Sequence, residues 1–213
     1  MKTDELVALL AADVAPVQPH ATTRRLGLAM GTGLLVSLLI VVFGYGLRTD
    51  LALAVFWPAF WIKLVFLVAL GGSGFFITHR LARPGVRAGT TTLGLALPLA
   101  ALWLAALVIW LQAAPAERMP LLLGETWKSC IFNILLVSAP LAAAGLMALR
   151  TLAPTRPALA GAAVGAMAGG AGAAVYALHC PELALPFLAV WYVAGVAATI
   201  AISAALGARL LRW

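Results

Sequence analysis

The sequence predicts an all-α membrane protein: a bundle of six transmembrane helices, preceded by a short cytoplasmic amphipathic helix. Hydrophobic residues make up 64% of the 213 residues, and charged residues only 10%. A soluble domain of this length cannot bury so large an apolar fraction in one core, so the lipid bilayer is the expected solvent. The net charge of +7 is spread in small groups between long apolar runs. Nucleic-acid binding would need those cations clustered on one surface.

Charged residues delimit six apolar stretches, each long enough for one helix across a bilayer, which takes ~20 residues. The stretches are 26–47, 51–78, 88–116, 129–149, 157–181 and 183–208. The first stretch lacks the small-residue cleavage site of a signal peptide, so we expect it to remain as the first span. We therefore divide the chain into a segment 1–25 and a six-helix transmembrane domain, 26–213.

The distribution of Lys and Arg predicts that both termini are cytoplasmic, because loops on that side of a membrane carry the excess of basic residues. With the N-terminus inside, the inner segments hold Lys2, Arg24, Arg25, Arg80, Arg83, Arg87, Arg150, Arg156, Arg209 and Arg212. The outer loops then hold only Arg48, Arg118 and Lys128.

Lys63 and Trp61 lie together in the second stretch. Tryptophan favours the membrane interface, and a lysine can extend its ammonium outward along its aliphatic stem. We interpret both residues as anchors of the outer end of this helix. The alternative for Lys63 is a buried partner carboxylate or a functional role.

The fifth stretch carries Gly161, Gly165 and Gly169, spaced four residues apart. This spacing places the three glycines on one helix face, which lets a neighbouring backbone approach closely. The strip predicts close packing, either within the bundle or in a homodimer.

The segment 1–25 contains one predicted helix, which Thr3 can cap and Pro16 ends. Its apolar face consists of Leu6, Leu10 and Val14, and its polar residues are the acidic Asp4, Glu5 and Asp13. A helix that lies on anionic lipid usually carries Lys and Arg instead. We therefore favour a partner protein with a basic-rimmed apolar groove over a lipid surface.

Cys130 and Cys180 are both expected at the outer face, where the periplasm of a Gram-negative host is oxidising. Several interpretations remain open. The cysteines could form a structural disulfide or a redox pair, or they could be unrelated packing residues. They could also bind a soft metal transiently, supported by His179 and by Glu182 or Glu125. No resident cofactor is expected. Asn133, one turn inward from Cys130, is expected to bond to a neighbouring helix.

The catalytic motifs of common enzymes are missing from the sequence, and its acidic residues all lie outside the apolar stretches. An enzyme is therefore disfavoured. A proton-coupled transporter is also disfavoured, because it is hard to build without an intramembrane carboxylate. The main alternative function is a small-solute or metal transporter with a cysteine-lined entrance. A quinone-linked thiol oxidase would need a second cysteine pair, and the chain has two cysteines in total.

Several short motifs together resemble one family. They are the opening residues 1–6, residues 60–63, 80–85, 127–130, 153–157 and 179–182, and the stretch 186–192. The chain resembles the NrsF-type negative regulators of sigma factors over essentially its whole length.

This resemblance implies a membrane-bound anti-sigma factor that holds an extracytoplasmic-function sigma factor at the inner membrane. The acidic N-terminal helix would then be the sigma-binding element. The outer pair Cys130 and Cys180 would be the sensor of heavy metal or oxidant. Trp127, His179 and Glu182 would support that sensor.

Overall fold

The computed structural model describes residues 3–12 and 20–212, and all regular structure in these ranges is helical. The ten α-helices, numbered in chain order, are α1 (Thr3–Ala12), α2 (Ala21–Leu39), α3 (Leu51–Ala54), α4 (Pro58–Leu81), α5 (Leu93–Gln112), α6 (Pro115–Leu123), α7 (Trp127–Arg150), α8 (Pro157–Tyr176), α9 (Leu185–Phe187) and α10 (Val193–Leu210). A 3₁₀ turn, Gly89–Thr92, leads into α5.

Six of these segments are long and apolar enough to cross a membrane, which confirms the predicted number of spans. They are Ala21–Tyr45, Pro58–Leu81, Gly89–Gln112, Pro115–Arg150, Pro157–Tyr176 and Leu185–Leu210. The fourth range also includes the short helix α6, which residues 124–126 separate from α7.

The spans run alternately up and down, so the loops gather at two ends. We call the end formed by residues 46–57, 113–126 and 177–184 the cysteine end. The opposite end, formed by 20–25, 82–92, 151–156 and 211–212, is the arginine end. Contacts across the arginine end include the 3.0 Å hydrogen bond between Thr23 and His79, which joins the start of α2 to the end of α4.

Helix α8 is the centre of the bundle. It packs against α4, α7 and α10, and its residues from Ala163 to Ala174 are all buried. The predicted glycine strip faces α10 within the same chain. A Cβ placed at Gly165 would lie 2.5 Å from the Cα of Ile200, so only glycine allows this approach. Because α10 covers the strip, this face is not available to a second copy of the chain.

Two π-helical turns lie next to the cysteine end, where the sequence predicted unbroken α-helix. Ile40–Tyr45 extends α2, and Leu188–Tyr192 joins α9 to α10. Such turns rotate the side chains that follow them and are frequent at functional sites. Here their last residues, Tyr45 and Tyr192, both point toward the residues around Cys180.

Candidate functional site

The structure brings the two cysteines into one buried cluster at the cysteine end. Cys130 lies in the first turn of α7, and Cys180 lies in the loop that follows α8. Both are free thiols with no exposed surface. They pack in the same hydrophobic cluster as Tyr176 and Tyr192. Any compound that acts on either thiol must therefore reach a closed site.

Thr126, which the sequence analysis did not single out, stands between the two cysteines. Its carbonyl oxygen accepts the backbone N–H of Cys130 at 3.1 Å. Its hydroxyl oxygen lies 3.7 Å from the sulfur of Cys180. The only sequence signal was its position immediately before α7, where threonine is a favoured capping residue.

The carboxylate of Glu182 binds the start of α7. Its Oε1 accepts backbone N–H groups from Glu125 at 2.7 Å and from Thr126 at 3.2 Å. These N–H groups lie at the positive end of the helix dipole, which favours a carboxylate there. Gly124 makes room for it: its φ is +55°, and a Cβ there would lie 2.6 Å from Oε2 of Glu182. Glu182 thus ties the Cys180 loop to the helix that carries Cys130.

His179 is held by a backbone carbonyl and by two aromatic rings. Its Nδ1 donates to the carbonyl oxygen of Gly46 at 2.8 Å. Its ring centroid lies 5.3 Å from that of Tyr45 and 5.7 Å from that of Tyr176. These contacts secure the loop between α8 and α9 against the end of α2.

The two thiols are the donors that a soft metal ion would use at this site. Across the described ranges 3–12 and 20–212, no three His, Cys, Asp or Glu side chains are grouped to hold a metal ion. The side chains of His179 and Glu182 instead form hydrogen bonds with backbone groups, as described above. A soft cation would therefore depend on two-coordinate binding by sulfur, the ligand type that soft metals prefer.

Trp127 joins the start of α7 to the π turn before α10. Its ring centroid lies 5.3 Å from that of Trp191, and its side chain packs against the cluster that contains both cysteines. Trp191 in turn donates its indole N–H to the carbonyl oxygen of Leu122 in α6 at 2.9 Å. Trp127 therefore helps to fix the helix on which Cys130 stands.

Asn133 bonds to two neighbouring elements, as the sequence predicted for an amide on this face. Its Oδ1 accepts the hydroxyl of Tyr45 at 3.1 Å, and its Nδ2 donates to the hydroxyl oxygen of Tyr176 at 3.0 Å. Asn133 lies one turn along α7 from Cys130. The amide thus links the thiol-bearing helix to both α2 and α8.

Lys63 differs from its predicted role as a lysine that reaches outward to the interface. Its side chain has no exposed surface. Its ammonium donates to the carbonyl oxygens of Cys180 at 3.2 Å and of Glu182 at 2.8 Å. The same ammonium lies 4.4 Å from the ring centroid of Tyr192. The loop after α8 folds over Lys63 and supplies these acceptors, so the ammonium has no need to reach water. Trp61, by contrast, is about half exposed on the bundle surface.

Arg48 and Asp50 form an ion pair beside this loop that the sequence analysis missed. The guanidinium Nε and the carboxylate Oδ1 are 2.6 Å apart. The hydrogen bond from Arg48 holds the pKa of Asp50 below its ordinary value, and the same bond raises the pKa of Arg48. The backbone N–H of Arg48 also donates to the carbonyl oxygen of Leu178 at 3.1 Å. The backbone of Arg48 therefore joins the loop after α2 to the turn that follows α8.

Helix α1 forms as predicted, and every residue from Thr3 to Ala12 is exposed. Leu6 and Leu10 lie one turn apart and are 42% and 67% exposed. Asp4 and Glu5 are in the first turn, where the helix dipole favours acidic residues. The predicted partner-binding residues Asp13 and Val14 lie outside the described residues.

At the arginine end, Arg25 joins α2 to the end of α7. Its Nη1 donates to both the carbonyl oxygen and the hydroxyl of Thr151, at 3.0 Å and 2.8 Å. Thr151 directly follows α7, which begins at the thiol site. Helix α7 thus connects the site of Cys130 to Arg25, the last residue of the segment 1–25.

The described residues form six helices long and apolar enough to cross a membrane, with a closed thiol site at one end and an exposed amphipathic helix ahead of the first of them. These features define a helical bundle of a composition compatible with a membrane protein. The family model described as "NrsF: Negative regulator of sigma F" matches residues 10–213. The chain belongs to this family, as the resemblance of its motifs predicted.

Two relatives are similar over their full length. The "Probable anti-sigma-F factor NrsF" of Azospira oryzae is 40% identical over 213 residues. The "Anti-sigma-F factor NrsF" of Caulobacter vibrioides is 41% identical over 219 residues. Both matches cover 100% of this chain and 100% of the relative. No solved structure matches the chain.

Proposed function

We propose that this chain is a membrane-bound anti-sigma factor that holds an extracytoplasmic-function sigma factor through residues 1–25. Release follows when Cys130 and Cys180 meet a heavy metal or an oxidant. Membership of the family and the names of the two relatives support a sigma factor as the partner. The role is regulatory rather than enzymatic.

The observation that carries this proposal is the uncovered apolar face of α1. Burying a leucine side chain stabilises an interface by ~1.5–3 kcal/mol, so Leu6 and Leu10 offer a partner substantial binding energy. The acidic Asp4 and Glu5 favour a partner with a basic surface. A sigma factor, which binds DNA, carries such surfaces.

The sidedness of the protein follows from its basic residues. The arginine end and the helix termini that reach it carry Arg24, Arg25, Arg80, Arg83, Arg87, Arg150, Arg156, Arg209 and Arg212. The cysteine end and the helix termini that reach it carry Arg48, Arg118 and Lys128. The positive-inside rule therefore favours an inner-membrane protein with both termini in the cytoplasm. The thiol site then faces the periplasm, and α1 lies on the side where sigma factors are found.

Two reactions could change the thiol site. A two-electron oxidant could take two electrons and two protons from Cys130 and Cys180, joining their sulfurs. Alternatively, a soft cation could displace both thiol protons and bind two thiolates. Either reaction pulls the loop that carries Cys180 toward α7.

Helix α7 is the element that would carry this change to the cytoplasm. Movement at Cys130 shifts α7 relative to α8. Asn133 couples this shift to α2 through its hydrogen bond. At the far end, Arg25 grips Thr151 just after α7 ends. A coupling of ~1–3 kcal/mol between the two ends would change sigma-factor affinity about 5- to 150-fold, which is sufficient for regulation.

The test is capture of the partner by the tagged full-length chain from solubilised membranes of its host. We expect a sigma factor to co-purify with the wild type and with the double variant Cys130→Ser, Cys180→Ser. It should be lost from a double variant Leu6→Glu, Leu10→Glu, because each substitution removes an apolar contact. Ala8→Gln, on the opposite face of α1, is the matched control and should retain the partner.

Two outcomes oppose the proposal. If no sigma factor co-purifies with any variant, the anti-sigma role fails, and metal or solute transport becomes the function to test. If a sigma factor remains bound to the Leu6→Glu, Leu10→Glu variant, the partner binds elsewhere and α1 is not the binding element.

A further inference from the structure

We propose that Lys63 is the latch of the thiol site: its buried ammonium holds the loop 180–182 closed and so sets how quickly a thiol-reactive compound reaches Cys180. The inference rests on the proposed function for its regulatory meaning, because a sensing thiol needs a defined threshold. The latch itself is a property of the bundle and can be tested without a partner.

Lys63 places a charged group inside the bundle. An ammonium inside a membrane bundle is expensive to keep, and such residues generally have a function. Within residues 3–12 and 20–212, Lys63 forms no ion pair with a carboxylate. Its contacts are two carbonyl oxygens and the face of the Tyr192 ring. The ammonium therefore binds backbone carbonyl oxygens and does not neutralise a carboxylate.

The two carbonyl oxygens that Lys63 binds lie in the loop of Cys180. They belong to Cys180 and Glu182, on either side of Pro181, so one ammonium binds the backbone of the cysteine and of the second residue after it. Other contacts of this loop are made by side chains: the Thr126 hydroxyl lies 3.7 Å from the Cys180 sulfur, His179 binds Gly46, and the Glu182 carboxylate binds the start of α7. Lys63 is the contact from α4 that bears directly on the backbone of Cys180.

A thiol reagent has no direct access to Cys180 in the closed loop. Cys180 has no exposed surface, so a reagent must wait for the loop to open locally. The fraction of time that the loop is open depends on the bonds broken in opening. Hydrogen bonds from a charged donor are the stronger ones, and Lys63 supplies two of them. Removing the ammonium should therefore increase the open fraction, and the labelling rate of Cys180 should rise in proportion.

The experiment measures labelling of each cysteine by N-ethylmaleimide in the purified full-length chain, resolved by peptide mass spectrometry. Lys63→Met removes the charge and the donors, whereas Lys63→Arg keeps both. Lys128→Met is the matched control, because Lys128 lies exposed at the same end of the bundle. We expect Lys63→Met to speed labelling of Cys180 by roughly tenfold or more. Lys63→Arg and Lys128→Met should stay near the wild-type rate.

Three results would overturn the latch. Cys180 could label at the same rate in the wild type and in Lys63→Met. Lys63→Arg could label as fast as Lys63→Met, which would show that charge does not hold the loop. Labelling of Cys130 and Cys180 could also rise equally, with a fall in the thermal unfolding temperature, which would indicate general loosening.

A second pair of variants serves if Lys63→Met does not accumulate. Tyr192→Leu removes the ring beneath the ammonium, whereas Tyr192→Phe keeps it. The latch predicts faster labelling of Cys180 in Tyr192→Leu alone, and equal rates in the two variants would contradict it. Failure to capture a sigma factor would defeat the proposed function and leave these labelling results standing, so the two ideas fail separately.

Discussion

The hydroxyl of Ser37 in α2 donates a 2.6 Å hydrogen bond to the carbonyl oxygen of Val137 in α7. Both residues are fully buried. One turn earlier on α2, Gly33 lies so close to α7 that a Cβ there would be 2.8 Å from the Cα of Leu141. Together with Tyr45–Asn133 and Arg25–Thr151, these contacts join α2 to α7 along nearly the whole length of both helices.

Ser37→Ala tests this helix pairing. The substitution leaves the carbonyl of Val137 with its helical partner only, so we expect a loss of about 1 kcal/mol in the free energy of unfolding. Thermal unfolding in detergent measures it. Thr32→Ala is the matched control, because the Thr32 hydroxyl bonds only within its own helix and is exposed. An equal loss in both variants would show that the contact with α7 contributes nothing.

A double-mutant cycle tests the bond between Asn133 and Tyr176. Asn133→Leu leaves the nearly buried Tyr176 hydroxyl without its donor, which we expect to cost ~1–3 kcal/mol. Tyr176→Phe removes the other partner and should cost less. The double variant should be more stable than the sum of the single effects predicts, by about 0.5–1.5 kcal/mol. Strict additivity in thermal unfolding would exclude an interaction between the two side chains.

Arg25→Met tests whether the contact with Thr151 transmits the signal. We expect capture of the sigma factor to persist, while its release on thiol modification falls severalfold, in line with a coupling of ~1–3 kcal/mol. A reporter gene under control of the sigma factor measures both states. Arg24→Met makes the same charge change one residue away and should respond normally. A normal response from Arg25→Met would exclude Arg25 from the pathway.

The Arg48–Asp50 pair predicts a dependence of stability on acid pH. The folded protein holds the pKa of Asp50 below the ordinary value of 3.8, so the pair stabilises the fold above that value. The stabilisation is lost as the pH falls through the lowered pKa, because protonation of Asp50 breaks the pair. Thermal unfolding of the wild type and of Asp50→Asn should therefore differ near pH 6 and converge as the pH falls through the lowered pKa of Asp50. A constant difference across this range would contradict the assignment.

Gly165→Ala and Gly72→Ala should have opposite effects. A methyl group at Gly165 would meet the backbone of Ile200, and overpacking of this kind costs ~1–3 kcal/mol. No atom lies within 4 Å of a Cβ at Gly72, so alanine there should stabilise α4 by up to about 1 kcal/mol. Unfolding temperatures that fall together would show that the open space beside Gly72 is filled in the folded protein.

The sequence was sufficient to predict the spans and their grouping at two ends, because these depend on local composition. Long uncharged runs mark the six helices, and the clustering of arginine at alternate loops marks one end. The cross-helix role of Asn133 was also predictable, since an amide inside a membrane bundle needs a partner.

The environment of Lys63 was not predictable, because its acceptors come from a loop more than a hundred residues away in the chain. They are backbone carbonyls, which carry no sequence signal. The role of Thr126 was not predictable for the same reason. Its carbonyl oxygen contacts Cys130 and its hydroxyl contacts Cys180. Helix α6 was missed because Pro115, Pro120 and the charges between them suggested a loop, whereas Pro115 occupies the first position of the helix, where proline is well tolerated.

The burial of α8 also bears on how the protein is made. This span is the least apolar of the six, and it is rich in glycine and alanine. The face of α8 that carries Gly161, Gly165 and Gly169 is covered only when α10, which follows it in the chain, packs against it. The core of the bundle therefore depends on α10, and a chain that stops before Leu185 would leave this glycine face uncovered.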